Sequence, residues 1–292
     1  VIPMRSLFKL EMHRALHCWT FWACLGVSVV LAVIGAAEGI WKYFERHGAT
    51  DAYFETSFIN QYALNAFTQW LPNAVMSATP NLFFFTAPLL IGLAYGWSWR
   101  SDISDGYAVS VLVRASRKEW ERAKACAALI SGGLLITVPM LVNLAIVFCV
   151  LPAETPIVVD AMWNGVWGNA FLSEMFYSRP VAYMVVRFVL DFVLAGLWAT
   201  AVLALSRCMR NKVVIVVLPY IVMLLFKYVS SSLGELVFNI TGISWGALAI
   251  VDLLRVRADF GEYTWAGVMF CAVVLLVISW LIPAATRKRD VL

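Results

Sequence analysis

The amino-acid sequence predicts an all-α integral membrane protein with six transmembrane helices, an N-terminal interfacial helix and a re-entrant helical segment before the last span. Three observations carry this expectation. First, 62% of the 292 residues are hydrophobic and only 14% are charged, too few to give a soluble globular domain its polar surface. Second, uncharged runs recur at 18–37, 82–99, 125–153 and 263–286, and two further runs, 181–206 and 213–233, contain only isolated charges. At about 1.5 Å of rise per residue, each is long enough to cross a hydrocarbon core about 30 Å thick. Helices are the expected form, because lipid offers no partner for an unpaired backbone amide. Third, the cations are unevenly distributed. With the amino terminus inside, fifteen Lys and Arg fall in inside segments and five (Lys42, Arg46, Arg179, Arg255, Arg257) outside, while Arg187 and Lys227 lie within spans. This positive-inside bias predicts that both termini are cytoplasmic, and it also accounts for the basic loops without nucleic acid.

The elements follow in order along a single transmembrane domain, 1–292. Residues 5–19 predict an amphipathic helix in the membrane interface, with Phe8, Met12, Ala15, Leu16 and Trp19 on the apolar face and Lys9, His13 and His17 across from it. The six spans are expected at about 20–40, 82–99, 124–150, 181–206, 213–233 and 263–283. The run at 18–37 is too long for a signal-peptide core. Val1, Ile2 and Pro3 precede Met4, so translation is expected to start at Met4 or at a non-standard Val1. The connection over 41–81 has no charge after Glu55 and carries Phe58, Tyr62, Phe67 and Trp70 among amides, which predicts an interfacial or re-entrant segment. The 151–180 connection, with Trp163 and Trp167, is similar. Residues 240–251 are apolar but too few to cross, so a re-entrant segment is expected at about 236–256. The six cysteines have no CxxC spacing and are expected to be small apolar residues.

Several function classes lack their motifs. The dipeptide Gly-Lys is absent, so no P-loop can form, and HExxH does not occur. His13 and His17 have metal-pair spacing but no third ligand near in sequence. No metal, cofactor or catalytic residue is therefore assigned, and ATP-driven chemistry would need another chain. Within spans, Arg187 and Asp191 stand at i, i+4 and can neutralise each other. Lys227 lies in the fifth span. All three are candidates for a polar substrate route, against a self-contained pair and a snorkelling lysine.

The connection at 100–123 has more structure in its pattern. Ser104 or Asp105 is expected to cap a short helix opening at Gly106. Val109, Leu112 and Val113 form an apolar stripe at i, i+3, i+4, followed by the basic turn Arg114-Ala115-Ser116-Arg117. Such a helix between two spans can dock in the groove of a soluble protein.

These residues resemble the second cytoplasmic element of permease subunits from type-two ATP-binding-cassette (ABC) exporters. Asp105 and Gly106, the aliphatic run 109–113, Arg114, Arg117 and Lys124 fill that family's positions, with Tyr107 where many relatives carry Thr. Lys9 to Arg14 followed by Phe21 and Trp22 resembles its elbow helix. The resemblance implies a bacterial plasma-membrane permease that pairs with a second permease, a copy or a relative. It also implies two cytoplasmic ATPase subunits, which carry ATP and Mg²⁺, and a substrate that is a peptide, a drug or a lipid-like molecule. Asp105, Gly106, Tyr107, Val109, Leu112, Val113, Arg114 and Arg117 would then couple to the ATPase. A membrane immunity or sensor subunit that captures a peptide and transports nothing is the alternative from another class.

Overall fold

The structure, a computed structural model, describes residues 3–48, 64–74, 77–158, 164–166, 171–241 and 265–286. Among these the regular elements are helices: α1 (Met4–His17), α2 (Trp19–Gly48), α3 (Ala66–Gln69), α4 (Ala78–Tyr95), α5 (Ser98–Ser104), α6 (Tyr107–Leu112), α7 (Arg117–Val150), α8 (Ser173–Ser178), α9 (Pro180–Leu205), α10 (Lys212–Thr241) and α11 (Trp265–Thr286). Six of them, α2, α4, α7, α9, α10 and α11, are long and apolar enough to cross a membrane, the make-up of a multi-pass membrane protein. Exposed aromatics mark both ends of α2. Trp19 and Trp22 lie at its start and Trp41 and Phe44 near its end, and the 22 residues from Trp19 to Trp41 rise about 33 Å. That spacing matches the distance between the two interfaces where such side chains collect.

α7 is the centre of the bundle and packs against α1, α2, α4 and α9. Its closest neighbour is α9, and small residues make the approach possible. A Cβ added at Gly132 would meet the Ala199 methyl at 2.5 Å, and one at Gly196 would meet the Leu129 carbonyl oxygen at 2.6 Å. In lipid, where apolar side chains gain nothing by leaving water, this backbone proximity supplies the attraction between helices. The helices run on through Pro88, Pro139, Pro219 and Pro283, and the Pro88 carbonyl accepts from Trp198 Nε1 at 2.8 Å.

The end of the bundle where α2, α7 and α10 begin is called the near end below, and the opposite end the far end. At the far end residues 64–74 of the 41–81 connection are buried among the helices. Trp70 Nε1 donates to the Met140 carbonyl at 3.4 Å, and the Asn143 side chain joins Leu71 N (2.9 Å) to the Ala32 carbonyl (2.9 Å). Met140 lies ten residues, about 15 Å of rise, inside the end of α7, so this segment enters the bundle. The Glu38 carboxylate reaches across from α2 to accept from Ala78 N and Thr79 N at 3.0 and 3.1 Å, satisfying free amides at the start of α4.

Three boundaries differ from expectation. α7 begins at Arg117, so 117–123 already belong to a helix of 34 residues rather than to a loop; Ser116 caps it by accepting from Glu119 N. α10 runs to Thr241, so 236–241 continue that helix, while 242–256 of the expected re-entrant segment lie outside the described residues. Trp19 opens α2 instead of closing the apolar face of α1.

Candidate functional site

At the near end, α1 lies against α7 and buries Leu7, Glu11 and Ala15, one residue per turn. This face is rotated from the expected one: Phe8, Met12 and Leu16 flank it, and a carboxylate sits at its middle. Both Glu11 and Lys124 are 0% exposed. The carboxylate survives there because its lone pairs are filled. It accepts from Tyr95 Oη at 2.7 Å, Trp120 Nε1 at 3.0 Å, Lys124 Nζ at 3.2 Å and Arg14 Nη1 at 3.3 Å, with Tyr107 Oη at 3.5 Å. Burial alone would raise the Glu11 pKa, but Lys124, Tyr95, Trp120 and Arg14 outweigh it and hold the carboxyl below the usual range.

Asp102, on α5, is the second buried carboxylate. It accepts from Arg14 Nη2 at 2.6 Å and Nη1 at 3.3 Å and forms a close ion pair with Lys124. Two carboxylates thus meet one ammonium and one guanidinium, and the network is electrically neutral. It joins α1, α4, α5 and α7. A second layer lies beside it: Trp99 stacks on Trp120 at 4.8 Å, the Arg207 guanidinium lies 3.6 Å over Trp99, and Glu121 pairs with Arg207 at 3.1 Å and with Arg117 at 2.8 Å.

α6 sits on this base. Gly106 precedes it at φ +71°, a left-handed conformation that costs other L-residues energy, and no side chain caps the helix. Asp105 instead accepts from the Ser101 and Ser104 hydroxyls at 2.8 and 3.1 Å, which hold its carboxyl below its ordinary range. The expected Ser104 or Asp105 cap is therefore absent. Ala108 and Val111 turn inward, whereas Val109 and Val113 are 67% and 81% exposed, and Arg114 is exposed beside them. Leu112 is only half-buried and packs against the core, so the outward pair is Val109 and Val113, at i and i+4. Tyr107 links the helix to the network: the Arg14 guanidinium lies 3.9 Å over its ring. Its hydroxyl pKa is raised, first by burial and then by Glu11.

Of the expected coupling residues, Asp105, Gly106, Val109, Val113 and Arg114 share the exposed surface. Tyr107 and Leu112 face inward in part, and Arg117 pairs with Glu121 on its own helix. Arg187 and Asp191 form a buried pair at 3.3 Å within α9, about 21–27 Å of helix from the near end at Leu205. Lys227 is half-buried on α10. Neither belongs to the near-end site. Glu11, Asp102, Tyr95 and Trp120 went unrecognised as site residues from sequence. One signal was present: Glu11 interrupts an apolar face at i+4 from Leu7 and i−4 from Ala15. Among the described residues no group of three His, Cys, Asp or Glu can hold a metal ion. All six cysteines are free thiols. No known protein family matches this chain, and neither a curated protein nor a solved structure matches it significantly.

Proposed function

We propose that this chain is the transmembrane permease subunit of an ATP-driven ABC exporter in a bacterial plasma membrane, with both termini cytoplasmic. One observation carries the reading: α6 and the turn that follows it present Val109, Val113 and Arg114 outward while the other face of α6 rests on the buried ion network. An exposed apolar pair beside a cation is suited to a groove on a soluble partner. The network beneath would pass a displacement of α6 to α1 through Tyr107 and Arg14, and to α7 through Asp102 and Lys124. α7 packs on α2 and α9, so the motion reaches the spans. In this reading two cytoplasmic ATPases bind and hydrolyse ATP with Mg²⁺, a second permease completes the pathway, and α1 serves as the interfacial elbow. A peptide, a drug or a lipid-like molecule is the substrate, with Arg187, Asp191 and Lys227 as candidates along its route.

The test is purification of the full chain from its native membrane in mild detergent, with partners identified by mass spectrometry. Near-stoichiometric recovery of a P-loop ATPase is expected, and Val109→Asp with Val113→Asp should abolish it while leaving the chain folded. Recovery of intact chain without any ATPase would overturn the exporter reading in favour of a peptide-capturing immunity or sensor subunit.

A further inference from the structure

Between α1 and the junction of α4 with α5 lies a cavity of about 340 Å³, lined among others by His13, Arg14, His17, Trp97, Ser98 and Ser101. We propose that it holds the phosphate headgroup of an anionic membrane phospholipid. The inference rests on the membrane-spanning character of the chain and is independent of any ATPase.

The donors converge. Arg14 gives three hydrogen bonds to Glu11 and Asp102, and a guanidinium has five donors, so capacity remains on its half-exposed side. The His13 and His17 rings lie in contact, tilted by 34° with centroids 3.7 Å apart. His17 Nδ1 donates to the His13 carbonyl at 3.0 Å, which leaves Nε2 for a ligand; a protonated His17 donates through it. Ser98 supplies an independent sign of an absent partner: the residue is 6% exposed and its hydroxyl is buried with no hydrogen bond among the described residues. Ser98 lines the cavity, and a buried hydroxyl left unmatched is costly. Asp102 also lines the cavity, but its charge is already met by Arg14 and Lys124.

Position selects a lipid over a soluble phosphate. The cavity lies where α1 ends and α2 begins, beside exposed Trp19 and Trp22, at the level where such rings meet headgroups. Leu10, also exposed on α1, adds apolar surface for an acyl chain, as expected of an interfacial helix.

The experiment uses the delipidated full chain in phosphatidylcholine nanodiscs, with phosphatidylglycerol titrated in and bound lipid counted by native mass spectrometry. The unmutated protein should retain one phosphatidylglycerol about tenfold more tightly than phosphatidylcholine, which carries the same phosphate but adds a choline cation that the Arg14 guanidinium repels. His13→Ala with His17→Ala should erase that preference, and Ser98→Ala should weaken it severalfold. Indifference of the unmutated protein to headgroup charge overturns the proposal without recourse to any variant. Undiminished preference in the folded histidine variant overturns the site, and displacement of the lipid by millimolar inorganic phosphate overturns the lipid assignment. A pull-down without ATPase would leave each of these results unchanged.

Discussion

Two regions of the molecule bury charge in different ways. In α9, Arg187 and Asp191 are one turn apart on a single helix, a pairing that local sequence alone can supply. At the near end, Glu11, Arg14, Asp102 and Lys124 come from three helices, and Tyr95, from α4, donates to the first of them. The first arrangement neutralises a charge where it stands. The second also fixes the relative positions of the elements that contribute to it, so that α6 rests on a tied base rather than on a loop. Asp191 Oδ1 has no hydrogen bond among the described residues, whereas each near-end carboxylate accepts several. A buried ion pair is thus no measure of structural coupling; the number of helices it joins is.

This contrast can be broken by substitution. Lys124→Met leaves two buried carboxylates facing one guanidinium and should destabilise the folded chain by about 3–5 kcal/mol, read as a fall in the midpoint of thermal unfolding in detergent. Replacing the α9 pair together, Arg187→Met with Asp191→Leu, removes both charges and should stay within about 1 kcal/mol of the parent or gain stability. Equal losses in the two variants would abolish the distinction.

Acid provides a second test. The folded Glu11 pKa lies below its ordinary value of 4.5, so its contribution is fully present above the unfolded value and disappears as pH falls through the folded one. Stability should hold from pH 7 to about 5, then decline below about 4.5. Glu11→Gln should flatten that acid limb; an unchanged limb would place its origin in other carboxylates.

A smaller loss than that of Lys124→Met is expected at the approach to α6. Gly106 has nothing within 4 Å of an added Cβ, so Gly106→Ala should cost only the left-handed strain, about 1–2 kcal/mol. Stability measured by chemical unfolding would check this, and a larger loss would mean that α6 is held more rigidly than its exposure implies.

The positions of the spans were readable because each is decided locally. A helix in lipid must satisfy its own backbone groups, so an uncharged run of sufficient length is nearly a complete description of a span, and all six recur as helices long and apolar enough to cross. Ends were less readable, since Arg117 to Ala123 look like loop by charge yet extend α7 as helix, supported by Ser116 capping and the Arg117–Glu121 pair at i, i+4. The outward pair of α6 was half readable: helical spacing identified Val109 and Val113, but Leu112 in the same stripe turns toward the core.

What the sequence determined by itself is therefore the membrane character of this protein and the six segments long and apolar enough to cross, because both follow from runs of neighbouring residues. The tertiary structure alone decided which face of α1 is buried and which charges share a site. Glu11 meets Tyr95, Trp120 and Lys124 across 84, 109 and 113 residues of chain, and Arg14 meets Asp102 across 88. A carboxylate on an apolar face is unfavourable until those distant donors surround it, and they are brought to it only when α4, α5 and α7 have packed.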